Sequence, residues 1–207
     1  VVMRIYKLIE EGKINQDTQL TIEEKHIDKG FGTLWQKGVG AKISVKEAIK
    51  LSVSQSDNTA DNLLRELTKK KPVSDVFDYL DIPTDLEQNG GAGVTTKGFS
   101  SVLRGLYLSA YISYEHSNEI LETMTKSPYT DRLVAGVSSD VKVAHKVAVY
   151  KNPQDPQVQI HSDCGVVYAP HRPYILCVMT KANINEATKQ ISEISKMVFS
   201  YVNSVNR

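Results

Sequence analysis

Ser54-Gln55-Ser56-Asp57-Asn58-Thr59-Ala60-Asp61-Asn62-Leu63-Leu64 lies at the meeting of two helical patterns, one running from Ile43 to Val53 and the other starting at about Thr59. Ser, Asp and Asn carry short polar side chains that bond to nearby backbone, so they favour helix starts and turns. Between two apolar runs they make a rigid polar corner seated on packed helices. Taken alone, the corner reads either as an N-cap or as a device that presents a hydroxyl and a carboxamide for chemistry.

The flanking patterns extend this layout in both directions. Residues 1–12 read as a helix, with Val2, Ile5, Tyr6, Leu8 and Ile9 at helical spacing and Gly12 as its stop. Lys13 to Gly40 reads as short strands or loop, and Phe31 and Trp35 there are either core plugs or the wall of a cleft. Ser44 and Glu47 have capping-box spacing at the start of the helix that ends near Val53. Further helices are expected from Thr59 to Lys70, Pro72 to Leu80, Lys97 to Ala110 behind a Thr96 cap, and Ser117 to Lys126. After Gly136 the period changes: Val141–Tyr150, Val158–Ala169 and Tyr174–Thr180 are rich in valine, isoleucine and tyrosine and read as strands. Asn152–Pro156 and Pro170–Pro173 are hairpin-type connections, and Glu186 to Asn203 is a closing helix. Helices followed by an antiparallel sheet with a terminal helix is the α+β layout.

At 207 residues and net charge +1, the chain is one domain or one two-lobed body, and nothing in its charge points to nucleic acid. Lys69-Lys70-Lys71 reads as a solvated helix end. The sequence holds no long apolar membrane span, no phosphate loop and no dinucleotide fingerprint. Its five histidines show no ligand spacing with the cysteines, so neither a metal nor another cofactor is expected. Cys164 and Cys177 fall on successive strands, either facing each other across the ladder or standing as buried thiols. The uncapped helical start at Val1 reads as a cut end, so the expectation is a fragment.

Ser56-Asp57-Asn58-Thr59-Ala60, with Asn62-Leu63-Leu64 behind it, resembles the serine-aspartate-asparagine element of class A β-lactamases and penicillin-binding proteins. The resemblance reaches upstream through Val45, Glu47 and Ala48 and downstream to the C-terminus. It implies a β-lactamase/transpeptidase-like α+β domain over 1–207 with its N-terminal strands missing. The helical lobe would take about 13–128, and the α/β lobe 1–12 with 129–207. It also implies serine-dependent acyl transfer on a small-molecule β-lactam or a D-Ala-D-Ala peptidoglycan peptide, outside the cytoplasm.

The residues carry over one at a time. Ser56 is the implied proton shuttle to the departing lactam nitrogen, Asn58 the implied donor to the substrate amide and to the catalytic lysine, and Asp57 the brace of the corner. Lys146, in His145-Lys146-Val147-Ala148, takes the lysine place of the family's Lys-Thr-Gly strand and would anchor a carboxylate and support Ser56; otherwise it is an edge-strand lysine. Phe31 falls where the family places an aromatic at the cleft mouth.

Four departures stand beside these matches. The Ser-x-x-Lys that supplies the nucleophile would fall just upstream of Val1, and Ser139-Asp140-Val141-Lys142 matches only formally, on a loop leading into a strand. Val147 lacks the hydroxyl that holds a substrate carboxylate, and Ala148 adds a β-carbon where the family has glycine. His161, two residues before Asp163, could supply a compensating carboxylate contact or be structural. No Glu-x-x-Leu-Asn is present; Glu87 is the one carboxylate near an asparagine in that loop, as a possible deacylation group or an exposed charge. These departures keep a second reading open, a non-catalytic module that binds peptidoglycan peptides or a protein partner. Three strands alone leave an unpaired edge, so an N-terminal segment or a neighbouring copy is expected to complete the sheet.

Overall fold

The computed structural model describes residues 1–68, 74–83, 95–151 and 159–205. Glu87, Lys69–Lys71 and the Asn152–Pro156 connection lie outside the described residues. The chain divides into two compact units, Val1–Pro83 with Gly105–Thr123 and Thr84–Arg104 with Met124–Arg207.

In the first unit, α1 (Val2–Glu10) ends at Gly12, whose φ of +68° is the left-handed conformation that glycine adopts at no steric cost. A two-stranded antiparallel ribbon follows, β1 (Gln19–Thr21) on β2 (Lys42–Ser44), with Leu20 opposite Ile43. Ser44 caps α2 (Val45–Gln55) by accepting the Glu47 N–H at 3.1 Å, while the Glu47 carboxylate reaches Lys37. The cap at Ser44 is therefore present, with the Glu47 side chain turned to a lysine. α3 (Asn58–Leu67) buries Ala60, Leu63 and Leu64, and α4 (Ser74–Tyr79) buries Val76 and Phe77.

Several helix starts differ from the sequence pattern: the closing helix begins at Ile184, because the Asn183 side chain caps it by accepting the Glu186 N–H, and not at Glu186. The cap of α5 (Thr96–Tyr107) is Thr95, not Thr96: the Thr95 Oγ1 accepts the Gly98 N–H at 3.1 Å, leaving Thr96 as the first helical residue. α6 (Tyr114–Met124) begins three residues before Ser117, because Ser113 caps it and the Glu10 carboxylate takes the Ser113 N–H at 2.8 Å. A carboxylate 103 residues away supplies that second contact, and local pattern does not contain it.

The second unit is built on a three-stranded antiparallel sheet of order β3 (Val143–Lys151), β4 (Gln159–Val167), β5 (Tyr174–Lys181). Period two sends alternate residues to opposite faces. The face carrying Val143, Val167 and Val178 packs with Leu133 and with Ile191 of the closing helix α7 (Ile184–Ser204). A 3-10 turn at Val134–Gly136 presses onto α7 so closely that a β-carbon on Gly136 would lie 2.4 Å from that of Ser195. The Ser195 hydroxyl donates to the Leu133 carbonyl at 2.7 Å, closing the same contact. Cys164 and Cys177 are register partners on β4 and β5 and are joined as a disulfide, which decides between the two readings of these residues.

Candidate active site

In the first unit the polar corner forms where α2 hands over to α3. Ser56 closes α2 in the left-handed conformation, φ 55° and ψ 29°, which a non-glycine residue adopts only when its surroundings over-determine it. Asp57 supplies that determination. Its carboxylate is fully buried and accepts the N–H groups of Thr33 (2.7 Å), Leu34 (2.8 Å) and Ala60 (2.9 Å). One side chain thus caps α3 and clamps the loop that carries Phe31. Gly32 permits the clamp: at φ +78°, a β-carbon there would sit 2.0 Å from Asp57 Oδ2.

Asn58 and Phe31 are brought together by backbone, the Asn58 N–H donating to the Phe31 carbonyl at 3.1 Å. The Asn58 Nδ2 donates to Asp28 Oδ1 at 2.9 Å, and Thr59 exchanges two further bonds with the Asp28 backbone. Hydrogen bonds from Asn58 and from the Gly30 N–H hold the Asp28 carboxyl below its usual range. Trp35, the other aromatic of the loop, is half-buried with the Lys29 ammonium 5.3 Å from its ring centre. The corner offers a hydroxyl, a carboxamide and an aromatic on one braced frame.

In the second unit Lys146 is half-buried on β3, in register with Cys164. Val147 is buried opposite Asp163, and Ala148 is exposed opposite Ser162. Ser139 and Lys142 sit exposed on the turn before β3. His145 and Asp163 are both buried, and the His145 Nδ1–H donates to Asp163 Oδ1 at 2.9 Å. His161 is buried on β4, with Nε2 3.2 Å from Gln159 Oε1 and Nδ1 without a hydrogen-bond partner among the described residues. Burial, then the cations Arg132 and Lys151, hold its imidazole below the usual range.

Arg132 is the residue that sequence reading missed. It is 4% exposed, yet its Nε and Nη1 have no hydrogen-bond partner among the described residues, and Asp131 stands 4.0 Å away. A buried guanidinium with idle donors is costly unless something anionic meets it. The Arg132 charge is felt at His161, where it adds to burial in disfavouring the imidazolium. The only signal in the sequence is an arginine set against Leu133-Val134 in a turn, which no periodicity marks. Among the described residues no group of His, Cys, Asp and Glu is arranged to hold a metal ion.

The backbone closely matches three solved structures. PBP-A superposes with a TM-score of 0.85 at 19% identity, covering 98% of this chain and 78% of that one. A PBP-A variant solved as an acyl-enzyme complex with penicillin G gives 0.83 at 20% identity, with the same coverages. A β-lactamase from Xanthomonas campestris pv. campestris gives 0.81 at 18% identity, covering 97% of this chain and 80% of that one. At these identities the likeness establishes the β-lactamase/transpeptidase-like α+β fold. The family model described as the β-lactamase enzyme family matches residues 1–202, nearly the whole length, and the chain belongs to that family.

Proposed function

We propose that the protein is a serine-dependent acyl-transfer hydrolase acting on β-lactams or D-Ala-D-Ala peptides, its nucleophilic Ser-x-x-Lys lying in sequence upstream of Val1. The observation that carries this reading is the braced corner. Asp57 spends its carboxylate on three backbone N–H groups, which holds Ser56 in a sparsely populated conformation where its hydroxyl is positioned in advance. The brace exceeds the single capping bond that a helix start requires.

In the proposed reaction Ser56 passes a proton to the departing lactam nitrogen, and Asn58 and Phe31 hold the acyl side chain. Lys146 supplies a cation for the substrate carboxylate and for Ser56. Val147 carries no hydroxyl and its side chain is buried, and Ala148 is no glycine, so the carboxylate rests on Lys146 without the hydroxyl that the family strand supplies, and His161 is the candidate for a compensating contact. With no Glu-x-x-Leu-Asn, and Glu87 as the lone substitute, the acyl-enzyme persists, which is penicillin-binding behaviour. The peptidoglycan-related substrates place the protein outside the cytoplasm, and the Cys164–Cys177 disulfide supports that, since disulfides persist in oxidising compartments. Among the described residues no helix is long and apolar enough to cross a membrane. The outer edges of β3 and β5 both lack a paired strand among the described residues, and an N-terminal segment or a neighbouring copy would complete the sheet.

Val147 and Ala148 favour a second reading, a non-catalytic module for peptidoglycan peptides or a protein partner. Intact mass of the full-length protein, with and without excess penicillin, separates the two. A single stable penicillin adduct supports acylation with slow release. Consumption of penicillin without an adduct supports a working β-lactamase, and a protein that neither gains mass nor consumes penicillin is assigned to the binding module.

A further inference from the structure

A carboxamide has two ends of nearly equal size, and its hydrogen-bond partners decide which end faces which way. At Asn58 that decision is made by Asp28. An ionised carboxylate only accepts, so its Oδ1, 2.9 Å from Asn58 Nδ2, turns the nitrogen toward the 28–30 turn and the oxygen away from it. Asp28 is itself fixed on every side. Its Oδ1 takes the Gly30 N–H at 2.7 Å, its N–H donates to Thr59 Oγ1 at 3.0 Å, and its carbonyl accepts from the same hydroxyl at 3.1 Å. Gly30 leaves the needed room: a β-carbon there would stand 2.8 Å from Asn58 Nδ2 and 3.0 Å from Asp28 Oδ1. No side chain with a β-carbon fits that position without displacing the pair.

We propose that Asp28 is a positioning residue that acts through Asn58, presenting its carboxamide in one orientation to read a secondary amide on the acyl side of the substrate. The inference rests on the acyl-transfer reading above, which already gives the substrate amide to Asn58; what it adds is the residue that fixes the carboxamide, so that loss of Asp28 is felt by acylamino substrates and not by β-lactams without that amide. Asp28 touches no reacting atom; its effect is carried entirely by the locked amide plane.

Acylation of the full-length protein by penicillin G, which bears the amide, is compared with acylation by penicillanic acid, which lacks it. Asp28→Ala and Gly30→Ala are expected to slow acylation by penicillin G about tenfold, the worth of one oriented hydrogen bond, and to leave penicillanic acid unchanged. Asp28→Asn, whose oxygen still accepts both bonds, is expected to restore most of the rate. Equal losses for the two compounds would make Asp28 a structural residue and overturn the proposal. The Asn58 side-chain N–H signals in a 15N-labelled sample give a readout that needs no turnover: they should shift as Asp28 is titrated with acid, and stop shifting in Asp28→Asn. Acylation by neither compound would sink the acyl-transfer reading, and with it the substrate preference. Asn58 signals indifferent to Asp28 would refute the positioning role even in a protein that reacts with penicillin.

Discussion

The His145 Nδ1–H meets Asp163 Oδ1 at 2.9 Å across β3 and β4, with both residues buried and Asp163 Oδ2 also accepting the Leu133 N–H at 3.1 Å. Three segments of the second unit are thereby tied to one carboxyl group. Gly165 stands opposite His145 because a β-carbon there would lie 2.7 Å from that of His145. Removing one partner leaves the others buried and unpaired, so Asp163→Ala is expected to cost about 3–5 kcal/mol in urea unfolding. His145→Phe combined with Asp163→Leu, which removes both polar groups, should cost less than Asp163→Ala alone. If the double variant is the less stable one, the pair's net contribution has been misjudged.

Asp57 makes a prediction of a different kind, since its two oxygens serve different segments. Oδ2 takes Thr33 and Leu34, and Oδ1 takes Ala60 at the start of α3. Asp57→Ala should cost about 3 kcal/mol or more by leaving buried N–H groups unmet and α3 uncapped. Asp57→Asn keeps one oxygen, and the two bonds to the loop outweigh the one to α3. Amide exchange should therefore quicken at Ala60 while Thr33 and Leu34 stay protected; the reverse pattern would show that the cap is the stronger claim.

His161 sets the pH response of the second unit. Burial, with Arg132 and Lys151 adding to it, depresses the imidazole in the folded protein. A base with a depressed folded value binds protons more readily in the unfolded chain. Stability is then intact above the unfolded value of about 6.5 and falls as pH drops below it. The denaturation midpoint should fall from pH 7 to pH 5, and His161→Gln should flatten that decline. Asp28 and Glu10 act lower. At Glu10 burial pushes the carboxyl up, but hydrogen bonds from His116 and Ser113 outweigh it, so both carboxyls sit below their usual range and their stabilisation is lost only as pH falls through those folded values.

How much of this was legible in the sequence depended on how far apart the deciding residues lie. The three strands were plain from their β-branched alternation, and the Ser44 cap from a serine three residues ahead of Glu47. Asp57 as a brace was foreseeable, but its loop partners, 23 and 24 residues upstream, were not. The start of α6 depends on Glu10, and the burial of Arg132 depends on packing beyond its own turn; no local window holds either. The Asp28–Asn58 bond spans 30 residues; Asp28, Gly30 and Gly32 mark a turn there, but nothing local names its partner.

The disulfide offers a direct stability test. Cys164 and Cys177 are 13 residues apart, and closing a loop of that size restricts the unfolded chain by about 3 kcal/mol in the chain-entropy account. The double variant Cys164→Ala with Cys177→Ala should lose about that much, and a reductant should lower the wild-type midpoint but leave the variant's unchanged. A loss below about 1 kcal/mol would mean that the β4–β5 ladder already confines this segment in the unfolded ensemble.

Arg132 separates function from stability. A buried guanidinium whose Nε and Nη1 have no hydrogen-bond partner among the described residues, with only Asp131 at 4.0 Å to offset its charge, weakens the fold that carries it, so Arg132→Met, which fills the same space without the charge, should raise the melting temperature by a few degrees. If the site takes a substrate carboxylate, the same change should cut acylation of the full-length protein by penicillin G about tenfold or more, the worth of a charge-assisted hydrogen bond. A penicillin G methyl ester, which has no carboxylate to offer, should react equally with both proteins. Gain of stability with selective loss toward the free acid would assign the idle donors to the substrate. Loss of stability with equal loss toward acid and ester would instead make Arg132 a prop for the turn at Leu133, and would leave His161 to meet the carboxylate alone.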